Sequence, residues 1–229
     1  MNKSPAIIAL IKKDWGLNRV PIYGGLLLIA SPYIVAGAFA PTAHEPWRRQ
    51  QICDSFMLAA VMADILTLLL AAVFGGAALA QERRERWADF LAMMPISRAR
   101  IVASKLIVAT LVLGAMWGIN FAVFAIAYKH RYVSPGVQDN VYNFAVSSVG
   151  LLMLFGVAWL FSSFLSSPAV AAIVSIAMGC GAVFWPGILP TAFRDRINVP
   201  ATLMFAIDIS MGLLGLAIGT YHYLRRVEP

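Results

Sequence analysis

Charge is what this sequence has least of. Of 229 residues only 13% are Asp, Glu, Lys or Arg, against about 25% in a soluble domain, and 60% are hydrophobic. A chain so poor in charge has too little polar surface for an ordinary water-soluble protein. Cysteine is nearly missing: Cys53 and Cys180 stand in different segments, and the three histidines, His44, His130 and His222, are scattered. Neither a disulfide framework nor a zinc site is expected. No Gly-Lys pair occurs, which excludes a phosphate-binding loop of the Gly-x-x-x-x-Gly-Lys-Ser/Thr kind. His-Glu-x-x-His and Gly-x-Ser-x-Gly are absent as well, and no nucleophile and base cluster together, so the sequence offers no hydrolase centre. After Lys3 the apolar stretch before Lys12, Lys13 and Asp14 is too short for a cleavable signal peptide, so the start of the chain is read as part of the mature protein.

What is present is a series of long uncharged runs. No charged residue occurs from Val20 to Ala43, Ile65 to Gln81, Leu106 to Tyr128, Asn140 to Phe193, or Ile209 to Leu224. A bilayer core requires roughly 17–25 apolar residues of helix. The runs are too long and too uniformly apolar for barrel strands, and a spanning helix satisfies all its own backbone hydrogen bonds. The predicted class is therefore all-α, a polytopic membrane protein. The run from Asn140 to Phe193 holds 54 residues, which as one helix would be about 80 Å long against a core of about 30 Å. It must double back, and the segment Ser162-Ser163-Phe164-Leu165-Ser166-Ser167-Pro168 is the natural hinge. Six spans result, roughly 22–40, 56–80, 101–128, 141–165, 169–189 and 201–223, in a single transmembrane domain. The stretch from Phe184 to Pro190 holds two prolines, so the fifth span is expected to break near its far end.

Six spans put both termini on one side. That side collects Lys3, Lys12, Lys13, Arg19, Arg83, Arg84, Arg86, Arg98, Arg100, Lys105, Arg225 and Arg226. The other collects Arg48, Arg49, Lys129, Arg131, Arg194 and Arg196. A 12-to-6 split places the termini in the cytoplasm by the positive-inside rule. It also explains the formal charge of +7 without nucleic acid, because the basic residues sit in loops between apolar runs. Ahead of the first span, residues 5–19 set Ile7, Ile11 and Trp15 on one helical face with Lys12 and Lys13 turned away. That pattern suits a helix lying in the membrane interface, and Pro21 favours a break before the first span.

The loop between the second and third spans runs from Gln81 to Lys105. It opens with dense mixed charge (Glu82, Arg83, Arg84, Glu85, Arg86, Asp89), passes through the apolar turn Phe90-Leu91-Ala92-Met93-Met94, and stops at Pro95. Ser97 is placed to cap the helix that follows. With Met94-Pro95-Ile96-Ser97-Arg98 and Lys105 behind them, Glu82, Phe90 and Leu91 make this loop resemble the signature loop of the type-2 ABC transporter permeases. Arg86-Trp87 stands where many relatives carry Gly-Thr, and Met94 where Leu is common. The resemblance implies a coupling helix over residues 82–94. Its contacts with a nucleotide-binding subunit would be Glu82, Arg83, Glu85, Arg86, Asp89, Phe90, Leu91 and Met93. It further implies that ATP and Mg are bound by that separate ATPase, that this chain carries no cofactor, and that the transporter is a dimer of permeases, two copies or this chain with a paralogue. The expected setting is a bacterial-type inner or plasma membrane, and the expected activity is export.

Three polar side chains fall inside the spans: Asp64, Asn120 and Asp208. Counted from the outer span ends they share a layer about 11 Å deep at 1.5 Å per residue. An ionised Asp near a helix centre costs roughly 2.5–3.5 kcal/mol on insertion scales, so it faces a partner or a wet cavity. Asp64 and Asp208 are candidates for lining the substrate path, or else they hold helices together, and Asn120, in the same layer, reads first as an interhelical hydrogen-bonding residue and second as part of the path. The small-residue patches Gly75-Gly76-Ala77-Ala78 and Gly179-Cys180-Gly181-Ala182 favour close helix packing. Two other functions fit the residues: a secondary transporter that moves protons through Asp64 and Asp208, and an assembly subunit without transport.

Overall fold

The structure, a computed structural model, describes residues 4–39, 48–84, 97–130, 137–188 and 201–226. Among them are seven α-helices and no strand: α1 Ser4–Leu17, α2 Arg19–Phe39, α3 Arg48–Arg84, α4 Arg98–Lys129, α5 Val137–Phe164, α6 Pro168–Ile188 and α7 Ala201–Arg226. The all-α class holds. Five of the helices are long and apolar enough to cross a membrane, over Arg19–Ala38, Gln50–Gln81, Arg98–Lys129, Phe144–Phe164 and Phe205–Arg225. The described apolar stretch of α6, Pro168–Gly179, is shorter.

Local sequence explains how the helices begin and end. Asn18 separates α1 from α2, its amide bonded back to the Asp14 carbonyl at 3.1 Å. Pro21 sits in the first turn of α2, where a missing N–H costs nothing. Deeper in α2, Pro32 cannot donate to the Leu28 carbonyl, and the Ser31 hydroxyl donates to that carbonyl instead at 2.7 Å. A hydroxyl next to a proline is one way a membrane helix re-satisfies a freed backbone group. Between α5 and α6 the chain turns through Leu165-Ser166-Ser167. Pro168 opens α6, while the Ser167 carbonyl and hydroxyl accept from the amides of Ala171 and Val170 at 3.1 and 3.4 Å. At its other end α6 is described as far as Ile188 and runs past Pro186.

The organising element is α3, which packs against α2, α4, α5 and α6, while α5 carries α6 and α7 on its other sides and α1 rests on α4. Consecutive spans run antiparallel. Phe74 and Leu79 near the end of α3 join Val102, Val108 and Val112 near the start of α4 in the main core cluster. At the opposite end Met57, Ala60 and Val61 of α3 meet Phe124 and Ala127 of α4 and Phe144 of α5, with the Phe124 and Phe144 rings stacked at 4.6 Å.

Glycines set the closest crossings. A Cβ on Gly75 would lie 2.7 Å from the Phe155 carbonyl of α5, and one on Gly76 would lie 2.9 Å from the Ala172 amide of α6. Between α5 and α7 a second crossing rests on Gly156, Gly212 and Gly215; a Cβ on Gly212 would stand 2.7 Å from the Leu152 carbonyl. Backbones that approach this closely gain dispersion contacts in lipid, where hydrophobic burial gives no advantage.

Candidate functional site

Two clusters built on a buried carboxyl group stand out among the described residues. The first lies at mid-height between α2, α3, α4 and α5. Asp64 of α3 is fully buried. Its Oδ2 accepts from the Ser147 hydroxyl of α5, with the Ser148 oxygen 3.5 Å away; Ser148 gives its one hydrogen to the Phe144 carbonyl at 2.7 Å. Ser148 in turn accepts from the indole N–H of Trp117 on α4 at 2.8 Å. One turn along α4, the fully buried Asn120 donates to Thr67 of α3 at 3.2 Å and accepts from the Tyr33 hydroxyl of α2 at 2.8 Å. Thr67 closes the chain by donating to the Ala63 carbonyl at 2.8 Å.

The helical repeat makes this layer. Asp64 and Thr67 are three apart on α3, as are Trp117 and Asn120 on α4, so each pair shares a face; Ser147 and Ser148 then fill the gap from α5. Each of these side chains reaches another helix or its own backbone, as a buried polar group requires, although the Oδ1 of Asp64 makes no hydrogen bond.

The second cluster lies at the end of the bundle where α1 meets α4. Asp14 is only 2% exposed. Its Oδ2 accepts from the Ser104 hydroxyl at 2.6 Å and its Oδ1 lies 3.6 Å from the Lys105 ammonium. Leu10, one turn before Asp14, packs on Ile101, one turn before Lys105. The inward face of α1 is therefore Leu10, Ile11 and Asp14, while Ile8 and Trp15 face outward and exposed. Sequence reasoning grouped Trp15 with Ile11 and overlooked Asp14, although it is the one acid in the first 44 residues.

Of the residues expected to contact an ATPase, Glu82 and Arg83 belong to the last turn of α3. Glu85, Arg86, Asp89, Phe90, Leu91 and Met93 lie outside the described residues. Of the residues expected along a substrate path, Asp64 and Asn120 fall in the one polar layer. Asp208 does not: it is part-exposed on α7 and takes no part in those bonds. The residues not anticipated are Tyr33, Thr67, Trp117, Ser147 and Ser148 in the layer, and Asp14 with Ser104 below it. A hydroxyl pair inside an uncharged run, such as Ser147-Ser148, is the only sequence sign of the first set. Among the described residues no group of three or more His, Cys, Asp or Glu side chains is placed to hold a metal ion.

No curated protein and no solved structure matches the chain. A family model described as "ABC-2 family transporter protein" matches residues 51–222, a stretch that runs from the first turns of α3 to the last turns of α7 and contains the intramembrane polar layer apart from Tyr33. Three quarters of the sequence, with its membrane-length helices, thus carries the pattern, and the chain belongs to the ABC-2 transporter membrane family.

Proposed function

We propose that this chain is the permease subunit of an ATP-driven exporter, that it spans the membrane six times with both termini in the cytoplasm, and that it works with a separate ATPase. The observation that carries the reading is the family match over residues 51–222. In such an assembly ATP and Mg belong to the ATPase subunit, and this chain is not itself an enzyme; the missing Gly-Lys pair agrees. Residues 82–94 form the coupling helix and carry the ATPase contacts. Two copies, or this chain and a paralogue, enclose the path. The 12-to-6 split of basic residues supports cytoplasmic termini, and α6, turned back through Leu165-Ser166-Ser167, serves as the fifth of the six spans, beside the five longer apolar helices.

The proposed stroke begins when ATP closes the ATPase subunits around the coupling helix. The helix pulls on α4, whose first residue, Arg98, follows it within a few residues. Held to α1 by Asp14, Ser104 and Lys105, the base of α4 moves together with the N-terminal helix, and the tilt of the spans expels substrate from the cytoplasm or inner leaflet. In this reading Asp208, part-exposed on α7, lines the path, while Asp64 and Asn120 set the packing of the helices behind it.

The test is to purify the tagged chain in mild detergent and identify what co-purifies by mass spectrometry. A stoichiometric ATPase carrying a phosphate-binding loop, lost on changing Phe90 and Leu91 to Asp, is the expected result. A preparation without ATPase in several detergents would overturn the reading.

A further inference from the structure

Asp64 has a buried carboxyl group and, among the described residues, no cation bonded to it. Against its helix pack α2, α4, α5 and α6, and no Lys, Arg or His occurs in Val20–Ala43, in Leu106–Tyr128 or in Asn140–Phe193. On its own helix the nearest basic residues in sequence are Arg49 and Arg83, 15 and 19 residues away, or roughly 22 and 28 Å along the axis. The titratable group in the hydrogen-bonded layer on a packed neighbour is Tyr33, itself occupied with Asn120. Of the two carboxyl oxygens, Oδ2 takes the Ser147 hydroxyl, with the Ser148 oxygen 3.5 Å away and donating to the Phe144 carbonyl, and Oδ1 has no hydrogen-bond partner.

An ionised carboxylate in this position would hold half its charge on Oδ1 with nothing to meet it, in a site closed to solvent. That is the costly case for a buried charge. The neutral acid fits the same atoms. Its O–H on Oδ2 donates to the Ser147 oxygen, which frees the Ser147 hydrogen for the Phe144 carbonyl at 3.1 Å. Oδ1 becomes a plain carbonyl oxygen, for which an unmade hydrogen bond is a small loss.

We propose that Asp64 is a proton-binding site in the core of the permease, occupied at neutral pH, whose proton lets α5 close on α3 without a counter-ion. The ligand is a proton and not a metal cation, because one carboxylate with two adjacent hydroxyls, both already engaged in hydrogen bonds, offers too few oxygens to replace a hydration shell. Separating α5 from α3 removes Ser147 and Ser148 from the carboxyl, so any movement that parts these helices also weakens the hold on the proton. The proposal does not rely on the ATPase partner and stands or falls separately from the exporter reading.

Infrared spectroscopy of the full chain in lipid nanodiscs at pH 7 tests it. The wild-type minus Asp64→Asn difference spectrum is expected to show the carbonyl stretch of a protonated carboxylic acid, unchanged when potassium is replaced by sodium. Ser147→Ala, which keeps the carboxyl and removes one hydrogen bond, is expected to move that band to higher frequency, and this variant carries the test should Asp64→Asn fail to fold. Carboxylate bands in place of the acid band, an acid band that disappears on adding sodium, or a band unmoved by Ser147→Ala would each overturn the proposal.

Discussion

Removing one partner of the Asp14 and Lys105 pair should have unequal consequences depending on which partner goes. Lys105→Met leaves the Asp14 carboxylate with the Ser104 hydroxyl at 2.6 Å, on a side chain 3% exposed and too short to reach water. Stranding a buried charge in this way costs about 3–5 kcal/mol. Asp14→Asn keeps the size of the side chain and an acceptor for Ser104, and the Lys105 stem is long enough to carry its ammonium to water. Losing that hydrogen-bonded charge without stranding one costs about 1–2 kcal/mol. The double variant strands nothing and should cost about as much as Asp14→Asn alone, which makes the coupling between the two positions as large as the Lys105→Met cost itself, about 3–5 kcal/mol.

The assay is reversible unfolding of the purified chain in mixed micelles, followed by tryptophan fluorescence, for the wild type, both single variants and the double. Equal single costs would refute the asymmetry. A double-variant cost equal to the sum of the singles, within about 0.3–0.5 kcal/mol, would show that the two side chains do not act as a pair.

Two further stability measurements check the packing account. Gly212→Ala places a methyl group 2.7 Å from the Leu152 carbonyl and should destabilise by about 1–3 kcal/mol, whereas Gly118→Ala, with nothing within 4 Å, should be neutral or stabilise by up to about 1 kcal/mol through helix propensity; thermal unfolding of the two variants in parallel separates them. Ser31→Ala removes the hydroxyl that serves the carbonyl freed by Pro32 and should cost about 1 kcal/mol, an effect that the pair Pro32→Ala and Ser31→Ala/Pro32→Ala should reduce, since the amide then returns to the Leu28 carbonyl.

Charge-free runs are one-dimensional information, and they delivered what one dimension holds. The spacing of charges was enough for an all-helical, membrane-type chain, and the serines before Pro168 lie where α5 gives way to α6. Rotation about each helix axis was not legible, because it depends on which neighbours pack there. Counting residues assigns Asp64, Asn120 and Asp208 similar depths, yet α7 packs chiefly on α5 and Asp208 stays out of the layer around Asp64. Asp14 was hidden for a related reason: its hydrogen-bond partner Ser104 is 90 positions away, and beside Lys12 and Lys13 an acid reads as part of a solvated face. Ser147 and Ser148 look like any small residues in an apolar run until α3 and α4 bring Asp64 and Trp117 against them.

The two polar clusters share one rod. Ser104 and Lys105 sit near the start of α4, and Trp117 lies 12 residues after Lys105 on the same uninterrupted helix, about 18 Å along the axis. No proline interrupts the 32 residues of α4, so the helix has no kink of the usual cause to absorb a displacement. Close-packed interiors do not deform gradually either. A rotation of α4 sufficient to part Trp117 from Ser148 therefore also turns Ser104 and Lys105 away from Asp14, unless α1 travels with it. Leu10 against Ile101 favours joint travel, since the contact lies one turn before the ion pair on both helices. Whatever moves the base of α4 must accordingly carry α1 along or break the Asp14 bonds, and the polar layer around Asp64 feels the same motion at its upper end.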